Sequence, residues 1–286
     1  MSNVLEVRGL NKCYKEFALK NISFALPQGY IMGFIGPNGA GKTTTIKSIL
    51  NMVGYESGEI TLFGRNVKDV GAALNDRVGV VMDAPFYVND WTAADVGKAV
   101  APFYTKWDAV TFDGFLNRFH ISRTKKLKEL SRGMKMKLMA AVALSHSAKL
   151  LILDEPTSGL DPVARDELCD LLLEFVSDEQ NAVLFSTHIT SDLERIADYI
   201  TFILNGEIVF AGLKEELLER YALVKGGREE LIKAQKKCLI GLREYATGFE
   251  ALAETARLKE LPRGVSAEPV SLEELIVFMN KEAGNL

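Results

Sequence analysis

The pattern of hydrophobic and polar positions along the chain predicts an alternation of strands and helices, as in an α/β protein. Apolar runs at 30–35, 149–153 and 182–186 are short and continuous, which is typical of strands that a parallel sheet buries on both faces. The run at 30–35 leads into a glycine-rich loop and then into apolar residues at helical spacing. The predicted strands are 4–7, 19–26, 30–35, 58–63, 78–82, 149–153, 182–186, 199–204 and 207–210.

Two segments interrupt this alternation and predict additional parts of the molecule. Residues 86–145 consist of helix-like stretches rich in alanine, lysine and aromatic residues, which indicates an inserted helical subdomain. In 213–286 the strong strand signals stop and the chain becomes more charged, so we expect a small C-terminal accessory or regulatory extension. Within it, Ser271 and Glu274 form a capping-box pattern that predicts the start of a final helix. The main domain, residues 1–212, is expected to combine a mostly parallel sheet, an antiparallel β layer and the helical insertion.

Composition and charge narrow the possible functions. The chain has 286 residues and a formal net charge of −4, without the basic excess that nucleic-acid binders usually carry, so we expect no nucleic-acid partner. Cys13, Cys169 and Cys238 show no paired spacing, which predicts neither a disulfide nor a zinc site and favours a reducing, cytoplasmic compartment. No apolar run approaches the ~18 residues that span a bilayer. Any membrane connection is therefore expected to come through a partner.

The most specific motif is the loop at 36–43, whose sequence Gly-Pro-Asn-Gly-Ala-Gly-Lys-Thr fits the phosphate-loop pattern G-x-x-x-x-G-K-[ST] in full. Glycines let such a backbone wrap around phosphates, and the N-terminal end of the following helix favours anions. Lys42 is expected to reach the β- and γ-phosphates of ATP, and the Thr43 hydroxyl to ligate Mg²⁺. The alternative is a glycine turn that precedes a lysine by chance. The predicted ATP-binding residues here are Gly36, Pro37, Asn38, Gly39, Ala40, Gly41, Lys42, Thr43 and Thr44.

A second signal is a pair of acids, Asp154 and Glu155, at the end of an apolar run. Ligands of α/β proteins bind outside the carboxyl ends of the strands, where these acids are expected to lie. Asp154 is positioned to help hold Mg²⁺, and Glu155 could polarise an attacking water. A helix cap or a turn would also explain acids at a strand end, but their combination with a phosphate loop favours the catalytic interpretation.

Together with the loop and the acids, three further segments resemble those of the ATP-binding cassette (ABC) ATPases. Residues 130–134 (Leu-Ser-Arg-Gly-Met) resemble the signature loop of the family, and residues 156–161 (Pro-Thr-Ser-Gly-Leu-Asp) resemble its D-loop. His188 follows a predicted strand, as the switch histidine of the family does. The order and spacing match over about residues 1–212. The resemblance implies the P-loop NTPase fold and a Mg²⁺-dependent ATPase subunit of an ABC transporter of the bacterial export type.

The resemblance also implies partners and the roles of single residues. A separate membrane permease would hold the chain at the cytoplasmic face of the cell membrane, and a second cassette, identical or different, would form a dimer with it. Ser131 and Gly133 would contact the nucleotide that this second cassette binds. His188 would contact the γ-phosphate as a catalytic residue beside Glu155 and Lys42. An adenine-stacking aromatic is implied at Tyr14.

Several of these residues have simpler explanations, which the residue pattern leaves open. Ser131 could be simply a helix N-cap, because serine is a preferred residue at that position. His188 could be a hydrogen-bonded structural histidine, and Tyr14 an ordinary core or surface aromatic.

Three positions depart from the pattern of the family. Arg132 replaces the usual small residue after the signature serine, and Met134 replaces the usual glutamine. Asp83 occupies the segment where the family carries a glutamine that links Mg²⁺ to the membrane partner. A carboxylate there can ligate a hard cation, so Asp83 is predicted as a metal ligand, with a turn residue as the alternative.

Two other functions compete with that of a transporter subunit. The first is a soluble ABC-type ATPase that acts on nucleic acid or the ribosome. Such relatives usually insert long coiled coils or join two cassettes in one chain, and this sequence shows neither. The second is a nucleotide-binding regulator that does not hydrolyse ATP, which the presence of both Glu155 and His188 disfavours.

Overall fold

The computed structural model describes residues 2–69, 76–83, 87–234 and 236–284, whose strands form three sheets. The strands are β1 (Asn3–Cys13), β2 (Ala18–Pro27), β3 (Ile31–Ile35), β4 (Ser57–Leu62), β5 (Arg65–Asn66), β6 (Val78–Val81), β7 (Leu150–Asp154), β8 (Ala182–Thr187), β9 (Tyr199–Leu204), β10 (Glu207–Leu213), β11 (Tyr221–Gly227), β12 (Ile240–Glu244), β13 (Gly248–Glu254) and β14 (Ser266–Pro269).

The helices of the described ranges are α1 (Lys42–Ile49), α2 (Ala93–Val100), α3 (Ala109–Arg118), α4 (Arg132–Leu144), α5 (Pro162–Val176), α6 (Thr190–Ile196), α7 (Lys214–Arg220), α8 (Arg228–Lys233) and α9 (Leu272–Glu282), with short 3-10 turns at Ala101–Phe103, Leu127–Glu129, Lys236–Cys238 and Thr255–Glu260. Across the described ranges, no helix is long and apolar enough to cross a membrane.

The central sheet has the strand order β10-β9-β3-β8-β7-β6, with all pairs parallel except β10 against β9. Every residue of β3, β7 and β8 is buried, because both faces of the sheet are covered. Successive residues of β7 point to opposite faces: Leu150 and Ile152 lie in one core, and Leu151 and Leu153 in the other. The predicted mostly parallel sheet is therefore confirmed.

The first core lies between the central sheet, α1 and an antiparallel sheet of order β2-β1-β4-β5. Leu5, Leu10 and Leu26 of this antiparallel sheet are fully buried against Phe34 of β3 and Ile46 of α1. This arrangement is the antiparallel β layer that the sequence predicts, and it covers the face of the central sheet nearest to the phosphate loop.

The helical insertion follows β6 and carries a core of its own. Helices α2, α3 and α4 bury Val96, Phe112, Leu116 and Leu138 against one another. Each of the three helices begins at a side-chain N-cap, which satisfies free backbone N–H groups of its first turn. The predicted first residue of the insertion, 86, lies outside the described residues.

The prediction that strand signals stop after residue 212 is wrong, because β11–β14 form a four-stranded antiparallel sheet of order β12-β13-β11-β14. The sequence obscures these strands: β13 reads Gly-Phe-Glu-Ala-Leu-Ala-Glu, and alanine and glutamate favour helices. Packing overrides this propensity, since Ala251, Leu252 and Ala253 are all completely buried.

The C-terminal sheet shares one core with the main body. Its outer face packs with α8 around Val224 and Phe249, forming a separate small cluster. Its inner face and α9 contribute Leu223, Leu252 and Leu275 to the second core of the central sheet. The predicted boundary at residue 213 therefore runs through a continuous hydrophobic core.

Candidate functional site

The loop between β3 and α1 has a backbone that only glycine can adopt at several points. Gly39 and Gly41 have φ angles of 82° and 114°, in the left-handed region that side chains rarely occupy. A Cβ atom at Gly36 would lie 2.2 Å from the carbonyl oxygen of Ile203, so the loop passes directly against strand β9. The other predicted loop residues are Pro37, Asn38, Ala40 and Thr44, and they complete this turn into α1.

Lys42 folds back into the loop that precedes it. The side chain is only 5% exposed, and its ammonium group donates hydrogen bonds to the carbonyl oxygens of Gly36 (2.7 Å) and Pro37 (3.2 Å). The same Nζ atom lies 3.3 Å from Oε1 of Glu155. A positive charge is thus held against the glycine-rich loop, in the position where such loops bind phosphate.

The ends of four parallel strands bring the predicted residues to one edge of the central sheet. Gly36 follows β3, Asp83 lies two residues after β6, Glu155 follows β7 and His188 follows β8. The register pairs Asp154 with Ser186, so β7 and β8 end level with each other. This edge is where open α/β sheets bind their ligands.

Glu155 connects the groups at this edge. Its Oε2 atom lies 2.7 Å from Nδ1 of His188, while Oε1 faces Lys42, and the carboxylate is largely buried. The backbone of Glu155 has a φ of 51° and donates a hydrogen bond to the carbonyl of Ser186. This left-handed conformation changes the direction of the chain where it leaves β7. The sequence-predicted catalytic residues Lys42, Glu155 and His188 are therefore in direct contact.

Asp154 is almost completely buried, and burial raises the pKa of its carboxyl group. The negative charges of Glu155 and Asp83 raise this pKa further, whereas the hydroxyls of Thr43 and Ser186 lower it. The Oδ1 atom of Asp154 accepts no hydrogen bond from the described residues. A buried carboxylate oxygen without a partner, beside the exposed Thr43, fits a hard divalent cation.

Protein side chains supply only part of a metal shell here. Within the ranges that the structure covers, no group of three or more His, Cys, Asp or Glu residues could hold a metal ion. Mg²⁺ is commonly bound by one or two carboxylates together with substrate phosphates and water, so this sparse donor set is compatible with it.

The signature-like segment lies against the D-loop-like segment rather than inside the phosphate loop. Ser131 caps α4, since its hydroxyl accepts a hydrogen bond from Met134 N at 3.2 Å. The guanidinium group of Arg132 packs on Gly159, where an added Cβ would lie 3.1 Å away. Gly133 faces Ala164 in the first turn of α5. Ser131 therefore acts as the N-cap of α4, and this does not exclude a further contact with a nucleotide.

Tyr14 lies in the turn between β1 and β2, and its side chain is 49% exposed. Its backbone N–H donates to the carbonyl of Phe17 at 2.7 Å, and the ammonium of Lys12 lies 5.1 Å from the centre of its ring. Phe17 was not predicted, yet its ring packs on the loop, 2.8 Å from where a Cβ of Gly41 would be. The sequence feature that could have indicated Phe17 is its position as an aromatic residue three residues after Tyr14.

The fold and the loop together define a P-loop NTPase. The family model described as ABC transporter matches residues 19–158. The chain is 36% identical over 211 residues to the lantibiotic transport ATP-binding protein SrtF of Streptococcus pyogenes, covering 72% of this chain and 89% of that protein. It is 29% identical to the ABC transporter ATP-binding protein YtrB of Bacillus subtilis, covering 98% of this chain and 99% of that protein.

A solved structure of an ATP-binding subunit of an ABC transporter superposes with a TM-score of 0.68 at 27% identity, covering 75% of this chain and 91% of that chain. The chain therefore belongs to the ABC transporter ATP-binding proteins, and it is an ATP-binding and ATP-hydrolysing subunit of such a transporter. Because both relatives carry transport names, the findings favour this function over the nucleic-acid or ribosome alternative.

Proposed function

We propose that the chain hydrolyses ATP at the carboxyl edge of the central sheet, with Glu155 as the residue that activates water. One observation carries this proposal: the two oxygens of Glu155 lie 3.3 Å from Nζ of Lys42 and 2.7 Å from Nδ1 of His188. Lys42 and the loop then hold the phosphates, and Glu155 accepts a proton from the attacking water. His188 orients the Glu155 carboxylate and contacts the γ-phosphate.

In the same proposal, Thr43 and Asp154 hold Mg²⁺, and Asp83 supplies a further carboxylate nearby. Support comes from the orphaned Oδ1 atom of Asp154 and from the charge of Asp83, which acts on Asp154. When bound, Mg²⁺ neutralises charge on the phosphates. Tyr14 is half exposed and its backbone bonds to Phe17, whose ring packs on the loop, so Tyr14 is our candidate for stacking on adenine.

We further propose that the chain works as one of two cassettes docked on a membrane permease at the cytoplasmic face of the membrane. The chain covers 89% of SrtF, a lantibiotic transport protein, which supports an export system. Ser131 and Gly133 lie in a segment that packs beside the D-loop rather than around Lys42, as expected if they serve a nucleotide bound by the second cassette.

The catalytic roles are tested by measuring ATP affinity and phosphate release for two variants. Glu155→Gln should keep ATP binding but lose at least ~100-fold in turnover, because the amide is a poor proton acceptor. Lys42→Ala should weaken nucleotide binding itself, since it removes the charge that faces the phosphates. Glu207→Gln, an exposed acid paired with Lys20, is the matched control and should behave as the parent. Near-normal hydrolysis by Glu155→Gln would refute the assignment.

The second cassette is tested by size-exclusion chromatography of Glu155→Gln with saturating ATP. Slow hydrolysis should preserve a dimer, and Ser131→Arg in the same background should abolish it by filling the site at the start of α4. Ser122→Arg, at an exposed serine of the same insertion, should leave the dimer intact. A dimer that survives Ser131→Arg would contradict the role of this serine.

A further inference from the structure

Helix α6 connects His188, at the end of β8, to the rest of the fold. It spans only the seven residues Thr190–Ile196 and begins two residues after His188. Its N-cap residue, Ile189, provides no side-chain cap. Isolated helices shorter than ~12 residues are marginal in water, so the position of α6 depends on what packs around it.

One side of α6 is fixed to α5. Asp192 accepts a hydrogen bond from Nε of Arg165 at 3.2 Å and a second from its Nη2 atom. One turn further along, Arg195 forms ion pairs with Asp166 and Asp170. Because α5 starts at the D-loop, these contacts connect α6 to the main body of the cassette.

The other side of α6 is fixed to the C-terminal part of the chain. Oε1 of Glu194 accepts a hydrogen bond from the backbone N–H of Leu272, at 2.9 Å. Leu272 is the first residue of α9, so this N–H has no partner within its own helix. Beside this contact, Leu193, Leu272 and Leu275 are completely buried in one core, and Lys214 Nζ donates to the carbonyl of Glu194 at 2.8 Å.

We propose that Glu194 is a positioning residue for His188, through which the C-terminal sheet and α9 set the rate of ATP hydrolysis. The negative carboxylate of Glu194 is attracted to the positive N-terminal end of α9 and thereby holds α6 against this end. Movement of α9 is then transmitted along α6 to His188 and from there to Glu155, 2.7 Å away. The inference rests on the proposed contact of His188 with the reacting phosphate.

The test compares Glu194→Ala and Glu194→Gln in the full-length chain. Glu194 is exposed, so loss of its single charged contact with the helix end should lower kcat by about threefold in Glu194→Ala, with the KM for ATP unchanged. Glu194→Gln keeps an acceptor oxygen and should retain most of the rate. The matched control is Glu268→Ala, which removes an equally exposed glutamate of the C-terminal sheet, on β14, where it pairs with Lys225. It should leave kcat unchanged.

Orientation can be followed directly by NMR, because the chain has three histidines. Glu194→Ala should shift the ring signals of His188 and leave those of His120 in place. Unmoved His188 signals in Glu194→Ala, an unchanged kcat in Glu194→Ala, or an equal loss of kcat in Glu268→Ala would each overturn the inference. A fully active His188→Ala would instead overturn the proposed role of His188 and the inference with it. An inactive His188→Ala together with a fully active Glu194→Ala would overturn the inference alone.

Discussion

Leu275→Ala tests whether the C-terminal part of the chain and the cassette unfold as one unit. Leu275 is completely buried on α9, in the same core as Leu151 of the central sheet and Leu193 of α6. Truncating a buried leucine costs about 2–5 kcal/mol, through lost transfer free energy and the cavity left behind. For a chain of 286 residues, whose unfolding entropy is about 0.6 kcal/mol/K, the loss should lower Tm by about 3–8 °C.

The tryptophans make the assay specific. Trp91 and Trp107 are the two tryptophans of the chain, and both lie in the helical insertion, packed on its separate core. If the continuous core couples the C-terminal part of the chain to the helical insertion, Leu275→Ala should shift the fluorescence Tm and the circular-dichroism Tm by the same amount. Ile232→Ala is the control, because Ile232 is 84% exposed and a surface change costs within about 0.5 kcal/mol. A fluorescence Tm that stays at the parent value in Leu275→Ala would refute the shared core as a cooperative unit.

Two further predictions concern single residues elsewhere. Gly36→Ala should abolish nucleotide binding in a fluorescent-nucleotide titration, because its Cβ would lie 2.2 Å from the backbone oxygen of Ile203. The control is Gly114→Ala, where a Cβ meets nothing within 4 Å, and it should bind the nucleotide as the parent does. Burial lowers the pKa of His146, so the unfolded chain takes up that proton first, and stability should fall as pH drops below ~6.5. His146→Phe should remove this part of the pH dependence of unfolding, and an unaltered dependence would contradict it.

The phosphate loop and the edge of the sheet could be predicted because their signals are local. The loop is a continuous motif, and Asp154 and Glu155 directly follow an apolar run. Parallel strands place their carboxyl ends at one edge, so His188 after one strand was expected to lie beside the acids that end another. The structure adds the distances and the left-handed turn at Glu155, neither of which residue order encodes.

The contacts that the sequence did not reveal are those between distant segments. Arg132 departs from the usual small residue, and only the fold shows that its guanidinium group packs on Gly159. Strand β13 is rich in helix-forming alanine and glutamate, and its identity as a strand depends on burial between two cores. Phe17 and Ser186 join the site only because the chain folds them beside Gly41 and Asp154.

The contact between Lys42 and Glu155 has a consequence for nucleotide exchange. The ammonium group is already neutralised by a carboxylate 3.3 Å away, so an arriving phosphate competes with an internal anion for the same cation. If Lys42 and Glu155 have the proposed roles, loading resembles ion exchange: the nucleotide replaces Glu155 at Lys42, and the freed carboxylate becomes available as a base. The nucleotide-free chain therefore keeps Glu155 paired with Lys42. Glu155 can act as a base only after the nucleotide has displaced it from the lysine.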